Sequence, residues 1–341
     1  MSTMLLPLLA LGIMWSLWRR WGKDPDPGSI FVRYEPPPDL TPAEAGTLLD
    51  DSPDARDITA TLVDLAVRGF VHIEETQTEQ LFGLFTSNDY QLHLLHAESW
   101  PSLKPHERAL LQALSVHADN DRVKLSDLQN QFYKHMPQIT KHLSSSLTAG
   151  GYYRTHPTRV RVIWLAIAAA TAVLIVLLGS AVSVRYGIAQ LTAIIAAAAT
   201  FIVIAVFAQL MPARTMHGAR THAWLRGFEE FLQRVEKDRL ERMAEGPATF
   251  EKYLPYAMAF GVEKNWAQAF EGMATTPPDW YHSRHGGPFR TNVFVADLGR
   301  MTRTAGSAMT SAPRSSGSSG SSGFSGGSSG GGFGGGGGGG F

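Results

Sequence analysis

The chain of 341 residues contains no cysteine. This absence excludes disulfide bridges, thiolate metal sites and cysteine nucleophiles. Formal charge balances, with 30 Lys and Arg against 30 Asp and Glu. The charges are unevenly distributed along the chain, so their local pattern is informative.

Catalytic motifs are also missing from the sequence. There is no Gly-x-Ser-x-Gly elbow, no Walker-type phosphate loop and no Gly-x-Gly-x-x-Gly after a strand. His106-Glu107 is followed by Leu110 where a zinc protease motif needs a second histidine. His282 and His285 have no third ligand at a suitable spacing. We therefore expect a protein that is not an enzyme and that holds no metal or cofactor.

Two neighbouring apolar runs, Val162–Val182 and Ile188–Leu210, contain no charged residue. About 20 apolar residues in a helix cross the roughly 30 Å hydrocarbon core of a bilayer. The connection between the runs is short, so the sequence predicts an antiparallel transmembrane hairpin over residues 160–211. Spans without ionisable side chains argue against a pump or transporter built from these helices alone.

A third, shorter apolar run, Met4–Trp18, opens the chain and is followed by Arg19 and Arg20. A cleaved secretory signal carries its positive charge before the apolar core and small residues after it. Here the basic residues follow the run, and bulky Trp21 stands where a small residue would be needed. We predict a first transmembrane helix over residues 1–21, with a cleaved signal as the alternative.

Basic residues follow the first and third predicted spans and precede the second, so all of them lie on one side of the membrane. This side is predicted to be the cytoplasm. The N-terminus is predicted outside, with residues 19–161 and 212–341 inside. The protein is thus expected to be a multi-pass cell-membrane protein with most of its mass in the cytoplasm. The flanking residues are Arg19, Arg20, Lys23, Arg154, Arg159, Arg161, Arg214, Arg220 and Arg226.

After a proline-rich linker (residues 22–37), residues 38–158 have a helix–helix–hairpin pattern. Thr41 and Glu44 form a capping box, and a second helix is predicted from Ser52-Pro53 to Gly69. Alternating apolar residues at 70–74 and 90–95 predict two strands joined by a long polar loop. This order is typical of a winged helix. Two units, 38–98 and 102–153, are expected, the second with helices over 105–118 and 137–149 and one capped by 126–129.

Charge argues against nucleic-acid binding by this region. Between Pro36 and Trp100, Arg56 and Arg68 stand against twelve carboxylates. A DNA-binding surface needs several cations to neutralise phosphates. We therefore expect protein contacts here, and no nucleic-acid partner.

The second soluble segment, residues 212–290, is predicted to be helical. An amphipathic helix is expected over 224–243, followed by an aromatic-rich stretch over 250–270 in which Pro255 begins a helix and Gly261 interrupts it. The aromatic side chains favour a helical core over a ligand pocket or an interfacial helix. Residues 291–314 are predicted to be a linker, and the glycine- and serine-rich residues 315–341 a disordered tail.

Several stretches of the chain are informative together: Trp21–Pro25, Tyr34–Gly46, Asp57–Glu75, Leu254–Trp266, Pro278–Tyr281 and the glycine-rich tail. They resemble a family of predicted prokaryotic membrane proteins known as domain of unknown function 2207. The resemblance covers almost the whole chain. Members usually carry an extracytoplasmic β-rich domain before the first span, whereas this sequence starts almost at that span. A shortened gene, a late start codon and a true variant are the alternatives, and any function of that domain is not expected here. The resemblance implies no activity, cofactor or catalytic residue.

Taken together, the sequence predicts a mainly α fold: a three-helix integral membrane protein with a cytoplasmic winged-helix-like α+β domain, a C-terminal helical domain and a Gly/Ser tail. The expected role is a non-catalytic scaffold that contacts membrane lipid and protein partners, with homo-oligomers also open. A membrane-tethered transcription regulator and a channel or transporter subunit are the alternatives. Ten residues mark a structural motif or an interaction site: Asp57, Thr59, Thr61, Asp64, Arg68, Gly69, Pro255, Tyr256, Trp266 and Trp280. For the first six, helix capping, an Asp–Arg contact and a helix stop are the preferred interpretation.

Overall fold

A computed structural model describes residues 5–80, 85–186, 190–234, 246–271, 277–283 and 289–313. The predicted tail over 315–341 lies outside these residues. The described chain is mainly helical, with one small sheet. The helices are α1 (Leu6–Leu17), α2 (Pro42–Asp50), α3 (Ala55–Val67), α4 (Pro105–Ser115), α5 (Met136–Ala149), α6 (Pro157–Tyr186), α7 (Gln190–Leu210), α8 (Met216–Arg234), α9 (Gly246–Phe260), α10 (Glu263–Ala269) and α11 (Thr291–Thr310). The strands are β1 (Val71–Gln80), β2 (Phe85–Leu94), β3 (Arg122–Lys124) and β4 (Tyr281–His282).

Helices α6 and α7 form the predicted apolar hairpin. Both are long and apolar enough to cross a membrane, over Pro157–Val182 and Gln190–Leu210. Helix α1 has 12 residues and continues as a π-helix over Trp18–Gly22. It packs on the hairpin through a small apolar cluster separate from the main core. The buried members of this cluster are Met14, Ala168, Ile204, Phe207 and Met211.

Local side-chain bonds set the bounds of α2 and α3. Thr41 and Glu44 form the predicted capping box of α2. Helix α3 begins at Ala55 and not at Ser52-Pro53, because the Asp54 side chain accepts hydrogen bonds from the backbone at its N-terminus. Gly69 adopts a left-handed conformation (φ +83°) just after α3, which is the predicted helix stop.

The β1–β2 hairpin is longer than the sequence predicted. Pairing runs from Val71 with Leu94 to Gln80 with Phe85, so most of the predicted polar loop is strand. The sheet order is β3-β2-β1-β4. Strand β4 comes from the second soluble segment and pairs parallel to β1 at Ile73. Residues 38–98 therefore supply only the two central strands of the sheet. Both edge strands, β3 and β4, come from later parts of the chain.

Other predicted bounds are corrected by the structure. Residues 126–128 form a single 3-10 turn and do not cap an α-helix. Helix α8 begins at Met216, earlier than predicted, and residues 235–245 lie outside the described part of the chain. Pro255 lies inside α9 and does not begin it. Buried neighbours on both sides hold that helix across the hydrogen bond that proline cannot donate.

The two soluble segments share one hydrophobic core. Its buried side chains run from Leu40 in the first segment to Met309 in α11. Residues 291–310, predicted as part of a linker, therefore form a helix with a buried apolar face. The aromatic stretch supplies the centre of this core, as the helical-core interpretation predicts. Phe250, Trp266 and Phe270 are all fully buried and in contact with one another.

Candidate functional site

A buried arginine joins the apolar helices to the soluble core. Arg214 lies four residues beyond the end of α7. Its backbone N–H and its guanidinium each donate to Asp24 at 2.7 Å. The same guanidinium lies 2.8 Å from Asp51 and donates to the carbonyl of Leu48 at 3.0 Å. We call this group, with Tyr153, the Arg214 junction.

Three chain segments converge on the Arg214 junction. Asp24 follows the π-helix that continues α1, and Asp51 caps α2 in a left-handed conformation (φ 63°). Tyr153, just before α6, donates to Asp51 at 2.6 Å and forms a β-bridge with Arg214. The ends of α1, α6 and α7 that face the soluble core are thus fixed to α2 at one point.

Burial and charge set the protonation of the junction. Burial lowers the pKa of Arg214, but Asp51, Tyr153 and Asp24 outweigh it and leave the pKa raised. Burial raises the pKa of Asp51 against the attraction of Arg214. The Asp51 carboxyl therefore binds a proton at a higher pH than an ordinary aspartate. Beside them, burial and the charge of Arg214 lower the pKa of His222 to about 4, so this histidine is neutral at pH 7.

A second buried ion pair ties α2 to α4 and α5. Glu44 is 1 % exposed, accepts from Lys104 at 2.5 Å, and also accepts from the Ser146 hydroxyl. Burial raises the pKa of Glu44, but the bonds from Lys104 and Ser146 lower it by more, so the carboxylate is ionised. His106 reaches the Thr41 hydroxyl at 3.2 Å, and burial lowers its pKa. The Glu44 carboxylate is thus fully paired, whereas the second ring nitrogen of His106, Nδ1, is buried without a hydrogen-bond partner.

The predicted Asp–Arg contact is present and extends further. Arg68 lies 3.1 Å from Asp64, its neighbour in α3, and 2.6 Å from Glu107 in α4. Burial raises the pKa of Asp64 to about 6 against the charge of Arg68. The arginine therefore links two helices, a contact that sequence spacing alone does not reveal.

The other motif residues of α3 support the local structure. The Asp57 carboxyl accepts from the Thr47 hydroxyl at 2.8 Å and from the backbone of Asp54 at 3.2 Å. The Thr59 and Thr61 hydroxyls each donate to a carbonyl of their own helix at 2.9 Å. Burial raises the pKa of Asp57 well above its ordinary value. These contacts agree with the capping interpretation.

The aromatic residues singled out in the second segment are core anchors. The Tyr256 hydroxyl donates to Leu40 at 2.7 Å, and the Trp266 ring N–H donates to Phe250 at 3.2 Å. The Trp280 ring N–H donates to Glu251 at 2.8 Å. Pro255 is buried inside α9, so all four side chains lie in the core or pack against it.

No cluster of three or more His, Asp or Glu residues suited to a metal ion occurs in the described residues. His282 lies in β4, whereas His285 falls outside the part of the chain that the structure describes.

Sequence reasoning missed the Arg214 junction. Arg214 was assigned only to the basic flank of a span. Asp24 fell in the predicted linker, and Asp51 was one of the twelve carboxylates between Pro36 and Trp100. The available signal was an arginine shortly after one apolar run and an aspartate shortly after another. Partners 190 residues apart in sequence cannot be matched from spacing.

Comparison with known proteins places these features in a family. Searches of the curated proteins and of the solved structures each found no match. The family model of the predicted membrane protein (DUF2207) C-terminal domain matches residues 31–270, more than half of the chain. The matched region holds the Arg214–Asp51 and Lys104–Glu44 ion pairs, the hairpin α6–α7 and most of the soluble core, whereas Asp24 lies before it. The chain belongs to the DUF2207 family of predicted membrane proteins.

Proposed function

We propose that this protein is a non-catalytic membrane scaffold. Three helices anchor a cytoplasmic domain of winged-helix-like order (α2, α3, β1–β2), completed by the second soluble segment, and this domain binds other proteins. The observation that carries the proposal is the Arg214 junction, which fixes all three apolar helices to the soluble core. A domain held so firmly to its anchor suits an adaptor.

Side-chain exposure supports insertion of the helices in lipid. In an apolar 18-residue stretch of each helix, only 6 % of the residues of α6 and 39 % of those of α7 are buried within the protein. Large aliphatic side chains such as Leu177 and Leu191 are more than 60 % exposed. Core helices of water-soluble proteins bury such residues, and apolar surfaces of this extent mark membrane contact. Helix α1 exposes Leu8 and Ile13 in the same way.

The internal pairing of carboxylates supports protein partners. Glu44 and Asp64, two of the twelve carboxylates between Pro36 and Trp100, form ion pairs inside the domain. Their partners are Lys104 and Arg68. The remaining surface of residues 36–100 still has few cations to attract phosphates. Within the described residues, the polar clusters have no open nucleophile or metal site.

The topology can be tested with single cysteines, because the chain has none of its own. In intact cells, Ser183→Cys at the hairpin connection is expected to react with a membrane-impermeant maleimide. Ser115→Cys, exposed at the end of α4, is expected to react only after lysis. The reverse pattern would overturn the proposed orientation.

The scaffold role can be tested by chemical cross-linking in native membranes. We expect reproducible cross-links between the soluble domain and a defined protein partner, absent from membranes without this chain. Recovery of the chain alone across several growth conditions would contradict the proposal. Salt-sensitive DNA binding by the full chain in nanodiscs, or ion flux through liposomes that contain it, would favour the other function classes.

A further inference from the structure

Residues 24–35, which follow the π-helix that continues α1, form neither helix nor strand, and the end of this segment lies against α8. The Arg33 N–H donates to the carbonyl of Gly227 at 3.2 Å, and the Trp224 ring N–H donates to the carbonyl of Glu35 at 2.8 Å. Gly227 permits this approach, since a Cβ there would overlap the carbonyl oxygen of Phe31. The segment is therefore docked on α8 through its backbone, and the Arg33 and Tyr34 side chains add contacts with Trp224 and Phe231.

Three consecutive apolar side chains of this segment are exposed. Ile30, Phe31 and Val32 are 56 %, 67 % and 45 % accessible. Met216, at the start of α8, is also exposed. Elsewhere in the described soluble core, exposed large apolar residues such as Leu95 and Val116 occur singly. A contiguous apolar run on a surface marks a contact site.

Cations border this apolar run. A cleft of about 430 Å³ lies between the segment and α8, lined by Phe31, Arg33, His217, Arg220 and Trp224 among others. The Arg33 guanidinium stacks over the Trp224 ring at 4.8 Å from its centroid. Among the described residues, neither Arg33 nor Arg220 has a carboxylate within ion-pair distance. Their charge is therefore open to an external anion.

We propose that this face, from Ile30 to Arg33 together with Arg220, docks on an anionic phospholipid surface. Arg33 and Arg220 contact lipid phosphates, while Phe31 enters the interfacial region beside them. Arginine and aromatic residues combine in this way on membrane-contacting surfaces. The proposal goes beyond the anchor itself, since it assigns a second, lipid-sensing contact to the soluble domain.

Continuity with the apolar helices argues for lipid as the occupant. The segment begins directly after Gly22, and Asp24 is held by Arg214, four residues beyond α7. Arg19, Arg20 and Lys23 precede it and are exposed. The apolar run thus continues a basic surface that already starts at the end of a membrane helix.

Depth-dependent quenching tests the proposal in nanodiscs that contain the full chain. A bimane label on Phe31→Cys is expected to be quenched by lipids carrying a nitroxide near the headgroup. Ile13→Cys in α1 is the positive control. Val116→Cys, at an exposed position of the soluble core outside every apolar helix, is the negative control. Quenching at position 13 without quenching at 31 would overturn the docking proposal while leaving membrane insertion intact. No quenching at 13 would overturn the membrane anchor itself.

Lipid charge supplies the second arm. Quenching at position 31 is expected in nanodiscs with phosphatidylglycerol and to weaken in pure phosphatidylcholine. Each of Arg33→Gln and Arg220→Gln should lower the docked-to-undocked ratio about fivefold, the effect of about one arginine near an anionic surface. Quenching that ignores both lipid charge and these substitutions would contradict a headgroup contact. Quenching that instead falls when a soluble acidic protein is added would assign the face to a protein partner, against the proposal.

Discussion

Arg214 combines two roles in one side chain. As a basic residue just past α7 it contributes to the charge flank of a span, and as the centre of the junction it pairs with Asp24 and Asp51. A guanidinium can serve two carboxylates and a carbonyl at once because it offers five donors in a planar fork. Lysine has a compact charge on a flexible stem and cannot reproduce that geometry.

Replacing this arginine is expected to be costly. Arg214→Gln leaves two carboxylates without a cation, and breaking a buried pair in this way costs about 3–5 kcal/mol. Arg226→Gln is the matched control, because its pair with Glu229 is exposed and worth at most about 1 kcal/mol. Thermal unfolding of the purified protein in detergent measures both. Equal midpoints for the two variants would show that the junction does not hold the helices to the core.

Two shielded residues, His222 beside the Arg214 junction and Asp64 in α3, predict opposite pH dependences of stability. The pKa of His222 is lowered to about 4 by burial and by Arg214 and Arg226, against Asp24 and a hydrogen bond to Leu49. Between about 4 and 6.5 the unfolded state binds the extra proton, so this residue makes stability rise with pH. Burial raises the pKa of Asp64 to about 6 against the charge of Arg68, so the stability contributed by this residue falls as pH rises from 3.8 to about 6.

Single substitutions separate these opposing terms. His222→Gln should lose the part of the stability that rises with pH in the wild type, whereas Asp64→Asn should lose the part that falls with pH. Chemical denaturation of the full chain in detergent between pH 4 and pH 7 measures both slopes. Identical pH profiles for wild type and His222→Gln would mean that the imidazole is not protected from protonation in the fold.

At this scale, local signals were predictable and distant pairs were not. The capping box at Thr41 and Glu44 and the stop at Gly69 depend on residues within one helical turn, and sequence spacing reveals them. The second partner of Arg68, Glu107, lies on another helix, and its proximity is set by tertiary packing. Such contacts follow from the fold and cannot precede it in an argument from sequence.

Among the elements, α8 depends on close backbone approach. Its Gly227 lies under the Phe31–Arg33 segment, and its Gly218 lies under the carbonyl of Tyr152. Glycine is normally unfavourable inside a helix. Here it lets two extended segments pack directly on the helix backbone.

An added methyl group at this point should displace the docked segment. Gly227→Ala is expected to destabilise the fold by about 1–3 kcal/mol, the usual effect of overpacking, despite the better helix propensity of alanine. Gly299→Ala in α11 is the control, since the space at its Cβ is open to within 4.0 Å of Arg303. Proteolysis of the 24–35 segment should accelerate in the first variant only. Unchanged proteolysis in Gly227→Ala would show that the segment is not held by this contact.

Element bounds were predicted well where local chemistry decides and poorly where burial decides. Pro255 and residues 291–310 are the clearest cases. Proline usually begins a helix, and a polar stretch with Gly299 and Gly306 suggests a linker. Both form helix because buried side chains such as Leu254 and Met301 pack against the rest of the core. Local preference is a weak guide when a tertiary contact opposes it.

The whole soluble part is expected to unfold as one unit, because both segments contribute to one core. Met301 in α11 is fully buried, and Met301→Ala should cost about 2–5 kcal/mol. Amide hydrogen exchange should speed up in α3 of the first segment as well as in α11. Val116→Ala, at a site 70 % exposed, is the control and should stay within about 0.5 kcal/mol of wild type. Faster exchange confined to α11 would mean that the segments unfold separately.

Molecular scale is where sequence analysis was least complete. The mainly helical character, the apolar hairpin and the family were predicted correctly. The division of the soluble mass into separate units missed the shared core. That division followed chain order. Ile73 nevertheless pairs with Tyr281, although the apolar hairpin α6–α7 lies between them in the sequence. Nothing in either strand's own sequence specifies such a partner.

The parallel pairing of β1 with β4 has a consequence for biosynthesis. β1 leaves the ribosome about 200 residues before β4, a delay of about 10–40 s at ordinary rates of translation. During this interval the first segment has its hairpin edge uncovered, while α6 and α7 emerge behind it. The soluble core can therefore close only after α6 and α7 have left the ribosome, so the apolar hairpin is exposed to its surroundings before the fold is complete.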